Sequence, residues 1–247
     1  MIKKCRFVSL AALLVLSFST LNGFSQTKKT VAKKPVVELN TPKKIVAPAA
    51  KADGSLRIKI STDSGIIIVR LSDSTPLHRD NFAKLVKEGF YDSLLFHRVI
   101  PQFMIQGGDP TSKYAQPGIM LGNGGDNLSR IPAEFKPSLY HKKGVLAAAR
   151  DGNPEKASSA CQFYLVEGKL WTDEQLNMME KQEGVKYTQE QRINYKTIGG
   201  TPHLDGAYTV FGEVETGIEV IGKIANVSRD GNNRPLGDLR MKMEILQ

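Results

Sequence analysis

Cysteine is nearly missing from this 247-residue sequence, which has only Cys5 and Cys161. Cys5 lies in a segment that reads as removable, so a disulfide framework is excluded and stability must come from a packed core. An excess of charge is missing where it would matter. The chain has 34 Lys and Arg against 25 Asp and Glu, a formal +9, which on a folded surface would point to nucleic acid or an anionic membrane. Ten of the bases and one acid, Glu38, fall in residues 1–51, leaving 24 of each sign in residues 52–247. The part able to fold is formally neutral, and no nucleic-acid partner is expected. A membrane-length apolar run is missing too: residues 7–18 form a stretch of about a dozen residues, against the ~20 that a spanning helix needs. His78, His141 and His203 fall in separate segments without metal-ligand spacing, so no metal site is expected. The glycine-rich GNGGDNLSR at 122–130 lacks the Lys-Ser/Thr ending of a phosphate loop and reads as a turn of the chain. Cys161, beside Gln162, reads as a small packed residue and not a redox centre.

What is present divides the chain in three. Lys3, Lys4 and Arg6, then the apolar stretch 7–18, then Gly23, Phe24 and Ser25 as a small-x-small site have the order of a secretory signal. Residues 1–25 are expected to be removed near Ser25 and Gln26, with an uncleaved anchor as the competing reading. The mature protein is then periplasmic or extracellular, with no stable membrane insertion. Residues 26–53 are rich in Lys, Pro, Ala and Thr, lack aromatics and hold no sustained period of 2 or 3.6, the composition of a disordered linker. Residues 54–247 form the expected domain.

Within it, short apolar runs alternate with Gly, Pro, Asn and Asp. Residues 56–60 and 66–71 read as a hairpin turning at Ser64 and Gly65. Phe82, Leu85, Val86 and Gly89 sit at helical spacing over 81–88 after Thr75 and Pro76. Strands are expected at 94–98, 103–106, 145–149, 162–166, 209–213 and 241–246, and a second helix over 215–225. This pattern is mainly β: a closed antiparallel barrel or a sandwich with helices at its ends. Residues 168–202 break the rhythm with two helical stretches opened by Thr172 and Thr188, each followed by acids. Leu176, Met178 and Met179 form an apolar patch on the first, Ile193 and Tyr195 on the second; a helical hairpin on the barrel surface is expected.

The most informative stretch is FHRVIPQFMIQGGD at 96–109, in which Arg98, Met104 and Gln106 share one face if the backbone stays extended past Pro101. Together with GVLAAARD at 144–151, QFYLV at 162–166 and HLDGAYTVFGEV at 203–214, it resembles the cyclophilin family, with the blocks in that family's order. The resemblance implies a closed eight-stranded antiparallel barrel capped by two helices, here with an insertion at 168–202, and a substrate groove on the outer face. It implies peptidyl-prolyl cis/trans isomerase activity without a cofactor, on proline-containing unfolded or extended peptides. By motif position Arg98 is the catalytic candidate. Phe103, Met104, Tyr164 and Leu204 match the apolar pocket for the proline ring, Gln106 and Gln162 its polar contacts, Ala149 a groove wall, and His97 the histidine beside the arginine, which is expected among the groove residues as a pocket-shaping or structural group and not as an acid or base.

Four positions depart from the family pattern. His203 replaces the tryptophan that helps hold cyclosporin, so weak cyclosporin binding is expected. Tyr208 replaces a groove histidine, and Arg150 an asparagine. Tyr164 adds a hydroxyl in need of a partner. The competing function is a non-catalytic peptide-binding module or holdase chaperone using the same groove.

Overall fold

Alternation of apolar and polar residues makes the first hairpin. In β1 (Arg57–Thr62) Ile58 and Ile60 are buried while Arg57 and Lys59 face outward, as a two-residue period requires. It pairs with β2 (Gly65–Leu71), and because Thr62 lies opposite Gly65 the turn is Asp63 and Ser64, one residue earlier than expected. Gly65 stays in the ladder with φ of 139°, where a Cβ would meet Val220. The chain is known here from a computed structural model, which describes residues 55–246. The signal expected at 1–25 and the linker at 26–53 lie outside the described residues.

Helix α1 (Pro76–Lys87) begins earlier than the expected 81–88, because the fixed φ of Pro76 suits a first helical turn. The remaining strands are β3 (Phe96–Ile100), β4 (Met104–Gly107), β5 (Val145–Ala148), β6 (Phe163–Val166), β7 (Val210–Thr216) and β8 (Lys242–Leu246). Between β6 and β7 lie α2 (Asp173–Glu183) and α3 (Gln189–Thr197), and after β7 comes α4 (Ile218–Ala225). The last starts later than the expected 215 because β7 runs on to Thr216 and Gly217, at φ 84°, turns the chain.

All eight strands form one antiparallel sheet in the order β3-β4-β6-β5-β7-β2-β1-β8. The expected closed barrel is not what forms. The sheet curls into a half-barrel whose edge strands, β3 and β8, meet only beside their ends, through the single bridge between Leu95 and Arg240. Beyond it a loop covers the edge of β3: Phe96 N–H donates to Leu239 O and Val99 N–H to Asn233 O, both at 2.9 Å. A covered edge cannot pair with another strand. Four α-helices accompany the sheet among the described residues, α1 and α4 beside it and α2 and α3 within 168–202. Inside the curl, Ile58, Ile67, Phe96, Ile105, Leu146, Phe163, Leu165 and Phe211 pack with Phe82 of α1 and Ile221 and Ile224 of α4.

The segment 168–202 holds the expected helix pair. Each helix opens with a reciprocal cap: Thr172 Oγ1 accepts from Gln175 N while Gln175 Oε1 accepts from Thr172 N, and Thr188 and Gln191 repeat the arrangement. Arg192 on α3 binds Asp173 at the start of α2 at 2.9 Å. Leu176, Tyr187 and Tyr195 bury against Tyr140, whereas Met178 and Ile193, expected in the apolar patches, are exposed. Replacing Thr172 with alanine removes one half of its capping box and is expected to cost about 1 kcal/mol, seen as a lower denaturant midpoint at unchanged slope.

Candidate active site

Strand alternation sorts the middle of the sheet into two apolar layers. Ile105, Leu146, Phe163 and Leu165 turn into the core, while Met104, Ala147, Tyr164 and Val166 turn outward and form a second cluster with Ala149, Phe103, Leu204 and Tyr208. Cross-strand register then places Arg98 opposite Gln106, Gln106 opposite Tyr164, and Tyr164 opposite Ala147, a single row across β3, β4, β6 and β5. The Pro101 turn therefore leaves Arg98, Met104 and Gln106 on one face, as their even spacing predicts.

A chain of hydrogen bonds runs along this row. Arg98 Nη1 donates to Gln106 Oε1 at 3.2 Å, Gln106 Nε2 to Gln162 Oε1 at 3.1 Å, and Gln162 Nε2 to the carbonyls of Gly122 and Gly124 at 2.9 Å each. The glycine-rich turn expected at 122–130 thus acts as the anchor of the chain. Both amide hydrogens of Gln162 are committed, so this residue orients Gln106 instead of offering a free donor. Arg98 Nε and Nη2 have no partner among the described residues. The half-buried guanidinium sits 6.0 Å from the Phe103 ring centroid; burial lowers its pKa, yet an arginine stays charged.

Beside Arg98 lies an apolar pocket of about 100 Å³ lined by Phe103, Met104, Gln106, Ala149, Tyr164, Leu204 and Tyr208. A second, more polar cavity of about 290 Å³ adjoins it across Gln106 and Ala149 and reaches Gln162, Arg130 and Asp151. Arg150 lines both and lies 4.6 Å over the Tyr208 ring, its Nε donating to Ala207 O at 2.9 Å.

Residues 57–244 match the family model for cyclophilin type peptidyl-prolyl cis-trans isomerase/CLD. The chain belongs to this family of isomerases. It is 34% identical over 189 residues to a bifunctional phosphatase/peptidyl-prolyl cis-trans isomerase of Streptococcus pyogenes, covering 74% of this chain and 37% of that protein. A peptidyl-prolyl cis-trans isomerase-like 2 of Rhizopus delemar is 33% identical over 188 residues, covering 74% and 27%. The chain thus spans well under half of either of these two relatives. A Staphylococcus aureus relative named for the same activity is 32% identical over 189 residues, covering 75% of this chain and 89% of its own. In fold, a crystal structure of a Cryptosporidium parvum cyclophilin superposes with a TM-score of 0.58 at 24% identity, covering 78% and 98%.

Not every residue that the motif assigned to the groove of this cyclophilin is found there. His97 follows the alternation of β3 and points away from Arg98 into the interior, 4% exposed, with both ring nitrogens unpartnered among the described residues. Burial pushes its pKa down to about 4. His203 stands outside the pocket and stacks on Phe103 at 5.6 Å, forming its rim. Trp171, from the stretch leading into α2, reaches within 6.5 Å of His203.

The hydroxyl that Tyr164 adds does have a partner, and sequence reasoning missed it. Tyr164 Oη lies 2.9 Å from His141 Nε2, and His141 Nδ1 lies 2.9 Å from Asp205 Oδ1. The extra hydroxyl was itself the signal that a buried polar neighbour had to exist. A second buried histidine, His78, bridges Glu134 at 2.7 Å and Ser158 at 2.9 Å. His78 and Ser158 are 2% and 1% exposed, so this trio is closed to substrate and ties α1 to the loops.

Proposed function

We propose that this cyclophilin accelerates X–Pro rotation by aiming the Arg98 guanidinium at the prolyl nitrogen. The observation that carries the reading is a charged, pre-oriented Arg98, with two nitrogens unpartnered among the described residues, at the mouth of a pocket sized for a small ring. Rotation about a peptide bond faces a barrier of about 18–20 kcal/mol because nitrogen shares its lone pair with the carbonyl. A prolyl nitrogen carries no hydrogen, so a donor can approach it. In the twisted form the lone pair returns to nitrogen and accepts from Arg98, an interaction absent from the planar ground state. Only such differential binding raises kcat. No proton is transferred, so a histidine acid or base has no part in the reaction.

Phe103, Met104, Tyr164 and Leu204 receive the proline ring, and Gln106 meets the peptide backbone. Arg150 and Tyr208 face the residues before proline. A structure of the Cryptosporidium parvum protein in the presence of the dipeptide Ala-Pro (TM-score 0.55, 23% identity) makes that dipeptide the natural test ligand. The leader-like residues 1–25 support a role in the folding of exported proteins in the periplasm or outside the cell. The helix pair of 168–202 is an insertion that borders the groove: Gly168 N–H donates to Phe103 O at 3.0 Å, and Trp171 backs the His203 rim.

The test is cis/trans exchange on an Ala-Pro peptide by exchange NMR with the purified protein. A rate equal to that in buffer would overturn the reading. Cyclosporin is expected to bind weakly, since His203 offers a smaller ring than the indole it replaces; a nanomolar Kd by calorimetry would contradict this.

A further inference from the structure

Two walls of the prolyl pocket come from distant parts of the chain, and one buried residue holds both. Tyr164 lies on β6, while Leu204 ends the short 3-10 turn Pro202–Leu204 that follows α3. His141, fully buried, sits behind them. Its backbone N–H and its Nδ1 both reach Asp205 Oδ1, at 2.8 and 2.9 Å, and Asp205 immediately follows Leu204. Its Nε2 meets the Tyr164 hydroxyl at 2.9 Å, and its carbonyl accepts from Thr201 N–H at the head of the same turn. The remaining Asp205 oxygen accepts from the Tyr195 hydroxyl of α3 at 2.5 Å.

The proton order follows from the acceptors. A carboxylate at Nδ1 holds the hydrogen there, leaving the Nε2 lone pair to accept from Tyr164. The series Tyr164, His141, Asp205, Tyr195 is thus satisfied at every member. Tyr164 is also confined sideways, its ring standing edge-on to Tyr208 at 6.0 Å.

We infer that His141 and Asp205 are positioning residues that set the width of the prolyl pocket, and that the Tyr195 hydroxyl makes the α2–α3 pair part of the pocket's support. The inference rests on the groove reading above. The pocket grips the proline ring alike in cis, trans and twisted forms, so a loosened wall weakens all three together. KM then rises while kcat holds. Loss of Arg98 has the opposite signature.

The test is Tyr195→Phe in the full chain, which keeps the ring in its cluster with Tyr140 and Tyr187 and removes only the hydroxyl. KM for an Ala-Pro peptide is expected to rise about fivefold, the value of one net hydrogen bond, with kcat within about twofold. Tyr164→Phe is expected to act in the same direction, and the double variant to raise KM by less than the product of the single effects. An unchanged KM, a fall in kcat alone, or effects that multiply independently would overturn the inference. So would a lowered melting temperature with KM intact, which marks a merely structural bond. The Kd of the same peptide is measured by NMR titration in parallel. If the wild-type chain fails to speed exchange, the isomerase reading falls. The positioning inference is then decided by whether Tyr195→Phe raises Kd about fivefold.

Discussion

Arg98→Ala is expected to lower kcat for Ala-Pro exchange by about 10²–10³-fold while leaving KM nearly unchanged. The magnitude is that of removing one pre-oriented donor from a site of developing charge. The side chain is suited to such a role because its position is set before substrate arrives. Gln106 holds Nη1, Gln162 holds Gln106, and the carbonyls of Gly122 and Gly124 hold Gln162. The reacting interaction therefore needs little reordering. The substitution spares the fold, since Arg98 is half-buried on the outer face and, among the described residues, its side chain bonds only to Gln106. Arg98→Lys keeps the charge but loses the planar fork that Gln106 orients, so it should recover only part of the rate. Exchange NMR with both variants reads this directly, and a loss in kcat of under about tenfold in the alanine variant would show that pocket binding alone carries the activity.

Acidification is expected to destabilise the protein by about 3 kcal/mol through His97 alone as pH falls from about 6.5 to about 4. In the unfolded chain this imidazole takes a proton near its ordinary value of 6.5, whereas in the fold it does so only near 4. Between those values the unfolded state binds more protons. Stability is therefore full above about pH 6.5, falls as pH drops through the window, and changes no further from this source below about 4. Burial is the main cause; Asp109 opposes it, and Arg98 and Arg234 add to it. His97→Leu removes the titration together with two buried ring nitrogens that have no hydrogen-bond partner among the described residues. Its melting temperature at pH 7 should equal or exceed that of the wild type, because burying an unpaired polar group is itself unfavourable. Its decline between pH 6.5 and 4 should be shallower. Glu134, whose carboxyl group is held below its ordinary value, adds an acid loss common to both proteins. The difference between the curves isolates His97, and parallel curves would refute the prediction.

Much of the architecture was legible without coordinates because it depends on short-range rules. β-branched runs and two-residue alternation located all eight strands, Thr172 and Thr188 announced their helices, and even spacing put Arg98, Met104 and Gln106 on one face. The same alternation places His97 opposite Arg98, against the groove role that motif position implied, and the structure follows the alternation.

Other features depend on which distant segments meet. A strand's own residues do not say whether its sheet closes. The sheet stays unclosed at β3 because the loop carrying Asn233 and Leu239 takes the hydrogen bonds that a partner strand would have taken. Nor does any local pattern link His141 to Asp205, 64 residues away, or Tyr164 to a helix outside the sheet. Sequence alone determined the strands, the starts of α2 and α3 and the face that presents Arg98, since local periods and caps act over a few residues. Only the tertiary structure decided how those strands end as a half-barrel and which buried histidine supports the groove, since hydrogen-bond partners across a core are chosen by the packing that brings them together.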